Sequence, residues 1–517
     1  MSMQEGQRDT VAVLDFGGQY AHLISRRIRE CGVYTELLPY NTSPATLREL
    51  RLKGLVLSGG PASVYAKDAP RCEKGVFDIG IPVLGICYGL QVLVDYFGGV
   101  VRPAERREYG RTILHAEGKA ELFYGLPKGF VCWMSHGDEV EKLPSHFKSI
   151  AHSQNSFAAA VQHINLRLYG LQFHPEVHHT KHGKRLLRNF LLRICGVKPT
   201  WTMRNFLDRT IHDIRQRVGY DRVLCAASGG VDSFTTTALV QKAIGDQLTC
   251  IFVDHGLLRK GEPESVLSTL RRKLEMKVIF VDAGERFLKR LREVSDPEEK
   301  RRIIGDEFAQ IFKEQSRAHG PFDWLAQGTL YPDVIESASA SGPAVRIKTH
   351  HNVAGLPRSL PFKLLEPLRF LYKDEVRRLA SLLGIPREIV NRHPFPGPGL
   401  AVRIIGEVTQ EKLRVCRDAD AIIEEELKRS RWYDKVWQVF AIVGDDRAVG
   451  VVGDLRRYGY IVTVRAVEST DAMTADWSRL PYNLLQQIST RITNEIPEVT
   501  MVTYAISSKP PATIEPQ

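Results

Sequence analysis

Cys87 stands in Gly85-Ile-Cys87-Tyr-Gly89. A nucleophile with glycine two residues away on each side marks a sharp strand-to-helix turn that projects the nucleophile. A cysteine at the start of a helix is favoured as thiolate. Outside such a frame a single cysteine is read as buried and structural, which is our reading of Cys72, Cys195 and Cys225. A thiol nucleophile needs a base and a group to orient that base. His174-Pro175-Glu176 follows the apolar run Leu168–Phe173. In extended chain, residues two apart point the same way, so Glu176 can fix the ring of His174. His136, in Trp133-Met-Ser-His-Gly-Asp138, is the rival base, with a carboxylate two residues on but a glycine between.

A second chemistry lies in Ser228-Gly229-Gly230-Val231-Asp232-Ser233. The apolar Arg222–Ala227 run before it reads as a buried strand, and Val231–Ala243 after it has helical spacing. Strand, glycine turn and helix start form a phosphate cradle, because the backbone approaches closely and the helix offers unpaired N–H groups. Ser228 and Ser233 add hydroxyl donors. Asp232 would repel phosphates by itself, and makes sense if it holds Mg²⁺. No lysine follows the glycines, so this is not the P-loop.

The elements that must position these groups alternate. Thr10–Asp15, Gly54–Leu57 and Ile81–Ile86 read as strands with helical patterns between them, such as Ala21–Glu30. That order predicts a mostly parallel α/β sheet with its binding residues at the carboxyl ends of the strands. Val197-Lys-Pro-Thr-Trp201 is a proline-marked linker. Leu248–Val253 and Lys277–Asp282 supply further strands of a second α/β unit, and the first of them should frame a nucleoside at its end. His393-Pro-Phe-Pro-Gly-Pro-Gly-Leu400 is too proline-rich for helix or inner strand and reads as a rigid crossing. Beyond it, the helical run Gln410–Lys428 and the strands Arg447–Asp454, Ile461–Val467 and Val499–Tyr504 predict a small α+β domain. The tail Ser508–Glu515 first reads as a disordered terminus whose removal spares folding.

The chain has 517 residues, 43% hydrophobic and 25% charged, the balance of a soluble protein of about three domains. No signal-peptide order and no run of ~20 apolar residues is found, so no membrane partner is expected. The net charge of +11 is spread along the chain without a long Lys/Arg block, and polymeric nucleic acid is not an expected partner. Eight cysteines without a Cys-x-x-Cys pair suit a reducing cytoplasm. His350-His351, in the basic segment Lys348–Pro357, lacks further ligands at familiar spacing and reads as part of a mobile lid over phosphates.

Gly85–Gln91, Phe173–Glu176 and Ser58-Gly-Gly-Pro61 together resemble the class I glutamine amidotransferases. The resemblance implies a flavodoxin-like domain in which Cys87 attacks the glutamine amide and His174 and Glu176 complete a triad. It implies that Gly59 and Tyr88 form the oxyanion hole, and that Gln91, Ser135 and His136 hold the glutamine. The loop 228–233 resembles that of the N-type ATP pyrophosphatases, which implies a Rossmann-like domain. With His393–Leu400 and Ser508–Glu515 added, nearly the whole chain resembles the glutamine-hydrolysing GMP synthases. That implies domains at 1–199, 200–393 and 394–517, the last for substrate binding and dimerisation. It implies ATP, glutamine and xanthosine 5′-monophosphate (XMP) as substrates, an adenylated XMP intermediate, Mg²⁺ and a cytoplasmic homodimer. Lys373, Asp374 and Glu375 match lid residues near ATP, Glu375 joining Asp232 as a metal ligand. Gln438, Asp454, Lys509, Ile514 and Glu515 match positions that bind XMP, and Lys509 suits its 5′-phosphate. Gly18 replaces a common serine, Phe234-Thr-Thr-Thr replaces smaller apolar residues, and the ending Pro516-Gln517 is atypical. Tyr331 stands where an arginine is sometimes found, and that arginine's role is not transferred. A tRNA-thiolating or argininosuccinate-type synthetase is disfavoured by the fused amidotransferase. A non-catalytic binding protein is disfavoured by the retained Cys87, His174, Glu176 and Asp232.

Overall fold

The computed structural model describes residues 9–117, 120–338, 362–469 and 474–517. The expected lid segment Lys348–Pro357, with His350 and His351, lies outside the described residues. The chain forms two compact units, 1–206 and 207–517.

In the first unit the elements are β1 (Thr10–Asp15), α1 (Ala21–Glu30), β2 (Tyr34–Pro39), α2 (Pro44–Glu49), β3 (Gly54–Leu57), β4 (Val83–Ile86) and α3 (Tyr88–Tyr96). There follow β5 (Val100–Ala116), β6 (Gly129–Lys142), β7 (Phe147–His152), β8 (Ala160–His163), β9 (Leu168–Leu171) and α4 (Gly183–Asn189). Among the described residues the sheet runs β2-β1-β3-β4-β9-β8-β7-β5-β6. Its first five strands are parallel. The apolar sequences of β1, β3, β4 and β9 are those of strands covered on both faces, and β3, β4 and β9 are buried throughout. The other four strands extend the sheet antiparallel. The long β5–β6 hairpin has no clean alternation in sequence, and only the Trp133–Asp138 part of it attracts notice there.

The second unit opens in α5 (Met203–Val218), inside which the unit boundary falls, a few residues past the expected linker. Next come β10 (Val223–Ala226), α6 (Val231–Ile244), β11 (Leu248–Asp254), α7 (Glu262–Ser268), β12 (Val278–Asp282), α8 (Gly284–Arg290) and α9 (Pro297–His319). Then follow β13 (Trp324–Ala326), α10 (Tyr331–Ala338), β14 (Lys363–Leu365), α11 (Lys373–Leu382) and α12 (Arg387–Val390). The five strands form a parallel sheet in the order β12-β11-β10-β13-β14. The remainder is α13 (Gln410–Arg429), β15 (Gln438–Val452), β16 (Leu455–Glu468), β17 (Asp476–Trp477), α14 (Tyr482–Glu495) and β18 (Val499–Tyr504). Its small sheet is antiparallel except for β18, which runs parallel to β16. Local signals start the long helices. Asp296 accepts the Glu299 N–H at 2.8 Å to open α9, and Thr409 accepts that of Lys412 at 3.2 Å to open α13. Among the described residues no helix is long and apolar enough to cross a membrane.

One buried core runs from Leu224 and Ile251 of the parallel sheet through Leu400 and Ile404 to Val464 and Ile488. The proline-rich crossing is part of it. Arg259 donates to the carbonyls of His393 and Pro394 at 3.2 and 3.3 Å. The Phe395 ring lies 4.1 Å from the Arg259 guanidinium and 5.0 Å from that of Arg403.

The tail corrects its sequence reading. Fully buried Arg403 meets Glu515 at 3.2 Å and Asp420 at 3.2 Å. Arg465 donates to the carbonyls of Ile514 and Thr513 at 2.8 and 2.7 Å. Ile514 packs with Phe440, Ile442 and Val467. Proline-rich polar composition resembles disorder, but the partners that order it come from distant strands. Deleting 508–517 is therefore expected to cost on the order of 3–5 kcal/mol, because Arg403 loses one of two carboxylates and Arg465 two of its three carbonyl acceptors. A lower urea midpoint for the truncated chain checks this, and an unchanged midpoint would restore the original expectation.

Candidate functional site

Cys87 lies between β4 and α3 with φ +52° and ψ −106°, a conformation that costs a residue with a side chain roughly 1–3 kcal/mol. Its neighbours must be small. A Cβ on Gly85 would overlap the Gly89 carbonyl, and one on Gly89 would overlap that of Leu57. The turn delivers the thiol into a cavity of about 840 Å³, lined among others by Gly59, Tyr88, Gln91, Ser135, His136 and His174. The thiol faces the Ser135 carbonyl at 3.7 Å, and the Gln172 amide donates to its sulfur at 3.9 Å. Tyr88 is the first residue of α3, so its N–H has no carbonyl within the helix. A Cβ on Gly59 would stand 3.2 Å from His174 Cε1 and 3.7 Å from Cys87 Cβ, which brings the three residues together. Burial pushes the thiols of Cys72, Cys195 and Cys225 up to about 11, 12 and 11, as suits structural cysteines.

His174 Nδ1 is 2.7 Å from Glu176 Oε1, both side chains buried. Thr180 donates to the His174 carbonyl at 2.6 Å, Arg27 donates to that of Glu176 at 2.9 Å, and the Tyr20 ring meets the imidazole edge-on at 5.1 Å. Burial alone would favour neutral imidazole. The charge of Glu176 and the bonds to Cys87 and Glu176 outweigh it and raise His174 to about 10. A value above the unfolded 6.5 contributes stability that is complete below pH 6.5 and lost as pH rises towards 10. The melting temperature of the native chain should therefore exceed that of Glu176→Gln most at pH 6, and the gap should close towards pH 10.

His136 is placed on the cavity wall, but its ring is engaged elsewhere. Nδ1 lies 3.0 Å from the Asp138 carbonyl and Nε2 lies 3.2 Å from Glu108 Oε2. Glu108 is the residue sequence reading missed. It lies across the β5–β6 ladder from His136, and no local motif joins the two. Asn155 donates to its Oε1 at 3.1 Å and Ser153 at 3.3 Å. Burial would raise its carboxyl, but bonds from His136, Asn155 and Ser153 hold it below the usual range. Gln91 donates to the same Asp138 carbonyl at 3.3 Å. Gly18, where a serine was the comparison, has no room for a Cβ against the Gly59 carbonyl.

In the second unit the loop 227–230 joins β10 to α6, with Gly229 at φ +83°. Ser233 is not a free donor as expected, because its hydroxyl donates to the Ala226 carbonyl at 3.3 Å and accepts the Ser228 N–H at 2.9 Å, stapling the loop. Ser228 and Gly230 are exposed, and Val231 and Asp232 open α6. Lys373, first residue of α11, donates to Asp232 Oδ2 at 2.5 Å. Asp232 Oδ1 is buried without a hydrogen-bond partner. A leftover carboxylate oxygen beside two helix starts fits a hard cation shared with phosphates. Among the described residues no cluster of three or more His, Cys, Asp or Glu is built for a metal. Buried Glu375 accepts the Tyr372 N–H at 2.9 Å, a helix-capping contact. Tyr331 packs edge-on against Tyr372 at 5.4 Å.

Of the residues matched to a nucleotide site, Gln438, Ile514 and Glu515 are together. The Gln438 amide donates to Glu515 Oε1 at 2.6 Å and to the Pro394 carbonyl at 3.1 Å. Lys509 exchanges backbone hydrogen bonds with Ala475 at 2.7 and 3.1 Å. Ser508 and Ala475 line a cavity of about 1010 Å³ with Arg377, Arg392, Lys435 and Trp437. Asp454 lies apart from these residues. It is exposed at the turn between β15 and β16, while Gln438 starts β15, so a strand on the order of 40 Å separates them.

Residues 12–194 match the family described as glutamine amidotransferase class-I, and residues 425–516 match the GMP synthase C terminal domain. The chain is 53% identical over 509 residues to the GMP synthase (glutamine-hydrolyzing) of Caldanaerobacter subterraneus, covering 98% of this chain and 99% of that one. It is 55% identical over 509 residues to the protein of that name from Thermomicrobium roseum, with 98% and 96% covered. For the one from Carboxydothermus hydrogenoformans the identity is 54% over 505 residues, with 98% and 99% covered.

Proposed function

The chain belongs to the family of glutamine-hydrolysing GMP synthases, and from that premise we propose how its residues divide the work. The reaction is the amination of XMP to GMP with glutamine as nitrogen donor and ATP split to AMP and pyrophosphate. We assign the three domains to 1–199, 200–393 and 394–517. Cys87 adds to the side-chain amide carbon of glutamine. Gly59 and Tyr88 N–H groups receive the oxyanion. His174, oriented by Glu176, gives its proton to the departing ammonia, and water then hydrolyses the thioester to glutamate with His174 as base. Gln91, Ser135 and His136 line the wall that holds the glutamine. The buried pairing of His174 with Glu176 beside the strained Cys87 is the observation that carries this half.

In the other half, Ser228, Gly229, Gly230 and Val231 present backbone to the phosphates of ATP, with Ser233 fixing the loop and Lys373 adding charge. Asp232 is the residue that would hold Mg²⁺, with Glu375 nearby on α11 as cap rather than evident ligand. When bound, the ion would offset phosphate charge as pyrophosphate leaves. ATP adenylates the 2-oxygen of XMP, so that AMP leaves when ammonia attacks C2. We place XMP by the cavity bordered by Ser508, with Lys509 for its phosphate and Gln438, Ile514 and Glu515 shaping the tail beside it. Exposed Val449, Val451, Leu455 and Tyr458 on the β15–β16 hairpin support a homodimer, and free buried cysteines suit the cytoplasm. Product analysis tests the whole. AMP should form from ATP only with XMP present, and GMP only when glutamine or ammonium is added. AMP formation without XMP would overturn the reading.

A further inference from the structure

We propose that Glu108 is a positioning residue for glutamine hydrolysis, acting through His136 on the wall that holds the glutamine. The inference rests on the reading of the Cys87 cavity as the glutamine site. Glu108 and His136 are 4% and 5% exposed, so the pair meets largely out of bulk water. A backbone carbonyl only accepts, so His136 Nδ1 carries a hydrogen towards Asp138. Glu108 Oε1 accepts from Asn155 and Ser153, while its Oε2 stands 3.2 Å from His136 Nε2. Both ring nitrogens of His136 are thus engaged, one by the Asp138 carbonyl and one by Glu108, so neither is left to take a proton from Cys87. The rival base is thus removed from the chemistry and left to hold backbone.

What it holds is a single point. The Asp138 carbonyl accepts from both His136 and Gln91. Ser135, next to His136 on β6, directs its carbonyl at the Cys87 thiol. Glu108 therefore anchors a chain of contacts, through His136 and Asp138, that ends on Gln91 and on the wall beside the nucleophile. β5 is irregular between Pro103 and Glu108, so regular strand pairing does not by itself fix this stretch. The side-chain network supplies what the ladder lacks.

The test is steady-state kinetics of the full chain with Glu108→Gln, His136→Ala and the double variant. Glu108→Gln preserves shape but removes the charge. It should raise the KM for glutamine about 10- to 100-fold with a much smaller change in kcat, the loss expected for one charge-assisted bond. Its ammonium-dependent synthesis should match the native chain. In the His136→Ala background the same change should add nothing further, since both act through one contact. An unchanged KM, an equal loss with ammonium, or additive effects would each overturn the proposal. Cys87→Ala, run in parallel, separates the failures. If that variant keeps glutamine-dependent synthesis, the cavity is not the glutamine site. If it loses it while Glu108→Gln behaves as native, only this inference falls.

Discussion

Cys87→Ala is expected to abolish glutamine-dependent synthesis and to keep substantial synthesis from concentrated ammonium salt at mildly alkaline pH. Loss of the proposed covalent nucleophile removes the group placed to form the thioester, so the glutamine-dependent rate should fall on the order of 10⁴-fold or more. Ammonia from solution enters after that step. Alkaline pH matters because the unprotonated amine attacks, and neutral solution holds mostly ammonium. The variant should fold, since alanine occupies the same strained turn with less volume and the flanking glycines stay in place. His174→Ala should follow the same pattern. His136→Ala should retain more glutaminase activity than His174→Ala, because its ring nitrogens are engaged by Asp138 and Glu108. Loss of both activities by a folded Cys87→Ala would break the division of labour. Loss of neither would make Cys87 structural.

What was legible in the sequence is what chemistry requires to be local. A nucleophile needs its own tight turn, so Gly85-Ile-Cys-Tyr-Gly89 announces itself. A base and its orienting carboxylate can share one extended stretch, so His174 and Glu176 are two residues apart. The apolar runs of β1, β3, β4, β10 and β11 are legible for the same reason, because burial on both faces leaves few polar residues to confuse them. Glu108 was illegible because its partner lies across a hairpin, and β5 mixes Pro103, Arg102, Glu108 and Gly110 without a clean period. The tail misled in the opposite way. Its composition is that of a solvated terminus, and residues distant in the chain, among them buried Arg403, Arg465 and Gln438, give it a place. Asp454 and Gln438 are close in number yet far apart in space, because one long strand runs between them.

Asp232→Asn is expected to collapse synthesis with glutamine and with ammonium alike, by at least about 10²-fold. Asparagine matches the volume of aspartate, so helix start and packing survive while one negative charge goes. That charge has two uses in the structure. Oδ2 draws Lys373 to within 2.5 Å, which brings the first residue of α11 to the start of α6. Oδ1 is buried without a partner, a costly state that a bound cation would relieve. Titration calorimetry with pyrophosphate, with and without magnesium, separates the two. The native chain should bind pyrophosphate more tightly with the ion present, and Asp232→Asn should lose that increment. Lys373→Ala should keep the increment but bind more weakly throughout, because it removes a cation from the cradle and leaves the carboxylate. A lower melting temperature with unchanged activity per folded molecule would instead make Asp232 a structural residue of α6. Should Asp232→Asn fail with glutamine yet work with ammonium, the activating chemistry would have to be sought outside the 228–233 loop.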